Sequence, residues 1–314
     1  MAGLEFNPEV IGPTLVLGMA AAGLYGLLAT ALVMTYRVSR TIGFVHGGLA
    51  LLGTYAYWWL TYPEEGAAHA RMGRLPGMLL VVAAGAVIGV AYGSTVTGRL
   101  ANWPRVRLTI YSLGWLLALA FATTAAFVNN VVGVQGLPIP SLFGTSTYTV
   151  FGAVVTIHQV ATVAILVALI AVLSVLLLRT RTGTYIRAIA DDPEAGRWVG
   201  IPLHWVGTGV FGLSGAVSTF AGVLLASTVG INFFLIPVVF LRALTVSVLG
   251  GFTSLPLALV GCLVLGVGEA SLGADLFGTR SPGEREIIVM AVLFGLVFLI
   301  NRYRRVRVIE VTGM

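Results

Sequence analysis

Long uncharged apolar stretches broken by short clusters of arginine dominate this 314-residue chain. Uncharged runs occupy 10–36, 41–63, 75–98, 108–178, 198–241, 243–268 and 287–301. Most exceed the roughly 20 residues that a helix needs to cross a hydrocarbon core about 30 Å thick. The pattern predicts an all-α protein, a polytopic transmembrane helical bundle of about eight or nine membrane segments forming one domain over 1–314. Composition agrees: 58% of residues are hydrophobic and 10% charged, whereas a soluble domain carries about 25% charged residues. Membrane lipid, rather than a single buried core, must cover this much apolar surface. The first run follows Glu5 and Glu9 instead of a basic flank and is too long for a signal peptide, so it is expected to be retained as a spanning helix.

Two segments interrupt the pattern and are expected to be broken or re-entrant helices. In INFFLIPVVFLRALTVSVLGG (231–251), Pro237 removes a helical hydrogen bond and Arg242 costs roughly 2.5–3.5 kcal/mol at a bilayer centre. In SRTIGFVHGGLALLGTYAYWW (39–59), Gly43, His46, Gly47 and Gly48 follow a basic turn. Breaks are tolerated only inside a bundle or beside a water-filled cavity. Two of them in distant parts of one chain imply an internal pseudo-repeat with a pathway between its halves. The 40 glycines also suit close helix packing in lipid.

Arginine placement orients the chain, since short basic loops stay cytoplasmic. One side collects Arg37, Arg40, Arg99, Arg105, Arg107, Arg179, Arg181, Arg187, Arg197, Arg302, Arg304, Arg305 and Arg307; the other holds Arg71, Arg74, Arg280 and Arg285 with Glu5, Glu9, Glu64, Glu65, Asp275, Glu284 and Glu286. This puts the C-terminus in the cytoplasm and makes the net charge of +6 a property of the cytoplasmic face. No soluble basic domain exists to hold nucleic acid.

Enzymatic chemistry is not indicated. The single Cys262 forms no disulfide framework, and His46, His69, His158 and His204 are scattered without H-E-x-x-H or G-x-S-x-G. All eighteen basic residues are arginine, so the phosphate-binding lysine of a P-loop cannot be supplied. No cofactor is expected, and any ATP must be used by partner subunits. The ionisable groups inside apolar segments are His46, Arg242 and Glu269, which are functional hypotheses by default. Arg242 and Glu269 either pair across the bundle or meet a substrate carboxylate or ammonium. His46 is either a hydrogen-bonded helix-breaking residue or a proton relay.

The segment RAIADDPEAGRWVGI (187–201) concentrates charge in the longest cytoplasmic loop. Asp191, Asp192 and Pro193 read as a helix start, and Gly200 with Pro202 as its end. It resembles the motif R-A-x-x-x-D/N-P-x-x-A-x-x-x-G-I of permease subunits of branched-chain amino acid (Liv-type) ABC importers. Arg187, Ala188, Asp192, Pro193, Gly200 and Ile201 carry the match, with Gly196 where alanine is common. Residues 25–55 resemble the family's I-N-F-A-H-G-x-x-x-x-x-G-A/S-Y through Ile42, Phe44, His46, Gly47, Gly53 and Tyr55, with Gly43 in place of asparagine. Residues 240–270 resemble K-A-F-x-A-x-V-L-G-G-x-G-S-x-x-G-A-x-x-G-G-x-x-L-G-x-x-E through Arg242, Val248, Leu249, Gly250, Gly251, Ser254, Gly261, Leu265, Gly266 and Glu269.

The resemblance implies a permease subunit in a prokaryotic plasma membrane, working with two ATPase subunits, a second homologous permease chain and an extracellular solute-binding protein. It makes 187–201 the coupling helix that seats in the ATPase. There Arg187, Asp191, Asp192, Glu194 and Arg197 set register and Trp198 is the anchor, in a helix that Pro193 opens and Gly200 closes. Gly43, His46, Gly47, Arg242, Gly250, Gly251 and Glu269 become pathway candidates. Urea or short amides remain alternative solutes, and a gradient-driven secondary transporter remains an alternative mechanism.

Overall fold

A computed structural model describes residues 8–62, 72–131, 141–229 except 145 and 151, and 235–273 except 253, together with 291 and 295. The last apolar run, 287–301, and the arginine-rich tail fall almost wholly outside the described residues. Among the described residues, five helices are long and apolar enough to cross a membrane. They belong to α1 (Pro8–Ser39), α3 (Arg74–Ser94), α4 (Arg105–Val131), α5 (Ile157–Arg179) and α8 (Leu203–Val229), where α3 closes in a π-helical turn, Thr95–Arg99. Three shorter helices among the described residues pack with them: α2 (Val45–Thr61), α9 (Leu235–Leu249) and α10 (Leu255–Gly273). At 1.5 Å per residue, α2 and α9 are about 25 and 22 Å long, so neither alone spans a full hydrocarbon core. Two small helices, α6 (Arg181–Asp191) and α7 (Pro193–Trp198), join α5 to α8.

The all-α expectation needs one correction. An antiparallel hairpin, β1 (Thr147–Val150) and β2 (Ala153–Thr156), precedes α5, with Thr147 opposite Thr156 and Val150 opposite Ala153. Hydropathy alone hides it, because TYTV and AVVT lie in the uncharged run 108–178. Their β-branched residues flank Gly152, whose φ of 81° suits a tight turn. Thr156 then opens α5 with a capping box: its side chain accepts from the Gln159 N–H while the Gln159 side chain accepts from the Thr156 N–H.

Most of the residues read as helix breakers fall within first turns of helices. His46, Gly47 and Gly48 lie inside the first turn of α2, and the chain reverses just before them, with Arg40 at φ 53°. Pro237 is the third residue of α9, where a missing N–H leaves no helical bond unmade. Residues 230–234, which precede it, lie outside the described residues.

The helix α2 is buried along nearly its whole length, packed against α8, α4 and α3. α8 is the central column, contacting α1, α2 and α3, while α1 also packs against α5, α9 and α10. Lipid offers no hydrophobic drive between helices, so contact depends on backbones coming close. At the α2–α8 crossing a Cβ on Gly222 would fall 2.1 Å from the Ala50 carbonyl oxygen, and one on Gly53 would fall 2.5 Å from the Thr219 carbonyl oxygen. Thr54 uses that proximity, donating its hydroxyl to the Gly222 carbonyl at 2.9 Å. Gly222→Val therefore forces the two helices apart. The expected result is loss of the monodisperse species on size exclusion in mild detergent, whereas Gly209→Ala, at a site with open space around it, leaves the profile unchanged.

Candidate functional site

Two constellations stand out, one at an end of the bundle and one inside it. At the end, Thr180 forms the elbow between α5 and α6. Its hydroxyl donates to the Leu176 carbonyl at 2.6 Å and accepts the Gly183 N–H at 3.0 Å. α6 is amphipathic: Gly183, Ile186 and Ile189 are buried, whereas Tyr185 and Asp191 face outward and Arg187 is half-buried. Arg40, just past α1, donates from Nη2 to the Ala190 carbonyl and so ties the C-terminal turn of α6 to the bundle.

Asp192 then breaks and restarts the helix. It takes φ −146° and ψ 105°, and its Oδ1 accepts the N–H groups of Glu194 at 2.8 Å and Ala195 at 3.1 Å. Pro193 occupies the first helical position and Glu194 the positive end of the dipole. Gly200, at φ 81°, ends the turn, and Ile201 N–H returns to the Gly196 carbonyl at 3.0 Å. Gly196 is buried, yet a Cβ there would meet only Ile201 Cδ1 and Leu203 Cδ1 at 3.8 Å, ordinary contact.

This scaffold displays apolar surface outward. Trp198 is 90% exposed and Val199 81% exposed, and Trp205, at the start of α8, is 75% exposed. Beside them a groove of about 510 Å³ is lined by Tyr185, Ala188, Asp192, Ala195 and Val199 among others. A second cavity of about 220 Å³ brings Arg40, Arg105 and Arg197 together with Trp103 and Pro193. Arginines from three separate parts of the chain, the end of α1, the start of α4 and α7, thus gather at one end. Trp205 and Arg40 were not singled out from the sequence: the first follows a histidine in an apolar run, and the second is one arginine among many.

Inside the bundle, Arg242 on α9 and Glu269 on α10 form an ion pair at 2.9 Å, with side chains 8% and 26% exposed. Tyr25 on α1 completes a triad. Its hydroxyl donates to Glu269 Oε2 at 2.7 Å and accepts from Arg242 Nη1 at 3.0 Å. Tyr25 was missed because an aromatic in an apolar run reads as core. His46 is elsewhere: its Nδ1 lies 2.9 Å from Ser218 Oγ of α8 and its Nε2 3.1 Å from Thr35 Oγ1 of α1. Both ring nitrogens thus have hydroxyl partners, and the ring pins α2 to α1 and α8 rather than breaking a helix.

The remaining pathway candidates divide between these neighbourhoods. Gly43 lies in the α1–α2 turn, where a Cβ would meet the His46 ring at 3.0 Å. Gly47 faces Phe240 of α9 at the same distance, and Phe240 also contacts the Phe44 ring, 5.9 Å between centroids. Gly250 and Gly251 form the α9–α10 turn, with Gly251 at φ 65° and Phe252 at φ 55°. Phe252 stacks on Tyr36 near the end of α1 at 4.4 Å. The start of α2 and the α9 helix therefore meet through Phe240, while His46 and the Arg242–Glu269 pair do not touch. Among the described residues no group of His, Cys, Asp and Glu is arranged to hold a metal ion.

Comparison with known proteins places this architecture. The family model described as "Branched-chain amino acid transport system / permease component" matches residues 14–301. The high-affinity branched-chain amino acid transport system permease protein LivH of Escherichia coli K12 is 30% identical over 296 residues, covering 90% of this chain and 91% of its own. BraD of Pseudomonas aeruginosa, a permease protein of the same description, is 28% identical over 92% of each chain. The fructose import permease protein FrcC of Rhizobium meliloti is 27% identical over 88% of this chain and 74% of its own. With a multi-pass apolar bundle and a family match across nearly its whole length, the chain belongs to the permease components of branched-chain amino acid transport systems.

Proposed function

We propose that this chain is the permease subunit of an ATP-driven importer in a prokaryotic plasma membrane, moving branched-chain or related amino acids that an extracellular binding protein delivers. It is a transport component and not an enzyme, as its relatives are. The chain works with two ATPase subunits and a second homologous permease. The arginine bias favours an outside N-terminus and a cytoplasmic C-terminus, which requires an odd number of crossings unless one of the eight or nine membrane segments re-enters from the side it started on.

The observation that carries this reading is the α6–α7 elbow. A rigidly capped short helix holds Trp198 and Val199 almost fully in solvent, at the end where Arg40, Arg105 and Arg197 gather. Large exposed apolar side chains framed by charge suit a protein partner, with tryptophan as the anchor. Seated in an ATPase groove, the elbow moves as the ATPase dimer closes. Arg40 passes that motion to the end of α1, and Thr180 passes it to α5. Alternating access follows in the helices those two join, with the α1–α2 turn and the α9–α10 turn flexing beside the pathway.

Trp198→Ala is expected to weaken ATPase association by about 30-fold, the equivalent of a loss of about 2 kcal/mol, and to abolish ATP-driven uptake. Asp192→Ala removes the cap at a cost of roughly 0.5–2 kcal/mol and should weaken both less severely. Co-purification of the ATPase and uptake into proteoliposomes read both effects; intact association and uptake in the Trp198 variant would refute the coupling role. Gly196→Ala has room for its methyl group and stiffens α7 by about 1 kcal/mol. It should therefore retain full uptake and raise the thermal midpoint of the assembled complex.

A further inference from the structure

Two members of the triad, Arg242 and Tyr25, line a cavity of about 210 Å³, and Glu269 stands behind them, bonded to both. The cavity walls are apolar, formed by Leu17, Ala20, Ala21, Leu24, Leu225 and Val239. Gln159 and Thr228 add further polar groups to the lining. Gln159 belongs to the first turn of α5 and Thr228 to the last turn of α8, so these two residues lie toward the end of the bundle opposite the α6–α7 elbow. Solute arriving from a binding protein would approach from there. The volume is several times the roughly 30 Å³ share of a water molecule and below the roughly 300–1,000 Å³ of pockets for drug-sized ligands, which suits a compact metabolite.

We propose that this cavity is a transit site for a zwitterionic α-amino acid with an apolar side chain, which inserts into the Arg242–Glu269 pair. The substrate carboxylate takes the guanidinium, the substrate ammonium takes the Glu269 carboxylate, and the side chain fills the leucine and valine wall. The inference deepens the importer reading and rests on it.

Charge decides which solutes pass. Separating a buried ion pair is costly because each charge loses its partner. A zwitterion supplies a counter-charge to both at once, so the four charges alternate in sign and the site stays neutral throughout. A solute with a net charge leaves one member of the pair without compensation, and an uncharged amide supplies no charge to either. Arg242 is suited to the exchange, since a guanidinium offers five donors in a fixed fork and can hold Tyr25 while turning toward a carboxylate. Tyr25 bonds to both members and keeps them within reach of each other after the solute leaves.

The test uses the importer purified with its ATPase and binding protein, reconstituted into proteoliposomes, with radiolabelled L-leucine and urea as probes. The variant Arg242→Gln/Glu269→Gln removes both charges together, so neither is stranded. It should assemble as the native chain does while ATP-driven L-leucine uptake falls at least ten-fold. Ala21→Leu fills the cavity and leaves the pair untouched; it should lower uptake similarly, and it keeps the test decisive if the double variant fails to fold. Native L-leucine uptake in an assembled double variant, or in Ala21→Leu, overturns the transit site and leaves the importer reading standing. A native assembly that takes up urea in place of L-leucine, or nothing on addition of ATP, sinks the importer reading for amino acids and this inference with it.

Discussion

The close approach of α8 to α2 is the constraint on which the rest depends. In lipid, apolar side chains gain nothing by leaving hydrocarbon for one another, so helices are held by backbone proximity and by hydrogen bonds that proximity permits. Gly53 and Gly222 allow the two backbones to meet, Thr54 bonds across the junction, and His46 joins the same two helices to α1 through Ser218 and Thr35. Because α2 is enclosed along nearly its whole length, it needs little lipid-facing surface and can be shorter than the bilayer is thick.

That enclosed centre sets where polar chemistry is admissible. The Arg242–Glu269 pair lies inside the bundle, where α1, α9 and α10 surround it and Tyr25 bonds to both charges. The remaining described arginines gather chiefly at one end, where they frame the α6–α7 elbow. One chain thus carries a neutral ion-pair assembly within the membrane helices and a basic, apolar-tipped handle outside them. The two are joined mechanically by α1, which holds Tyr25 in its middle and reaches Arg40 at its end.

The sequence made the elbow legible because its signals are local. Asp192, Pro193 and Gly200 each answer to a backbone requirement at one position, and α7 starts and stops where they dictate. The run pattern likewise reveals the long helices. It misleads where a long apolar run hides a change of structure, as with the hairpin at 147–156, and where a breaker residue sits in a first turn, as His46 and Pro237 do. Partners such as Tyr25, Thr35 and Ser218 come from distant parts of the chain, and nothing in their own neighbourhoods marks them. Tertiary contact alone gives them a role.

Affinity purification of this chain from its native membrane in mild detergent, with mass spectrometry of what stays bound, tests the central claim most directly. The account predicts recovery of a P-loop ATPase together with a second permease of the same family. Recovery of the chain alone, in a form that moves solute down an ion gradient, would contradict it.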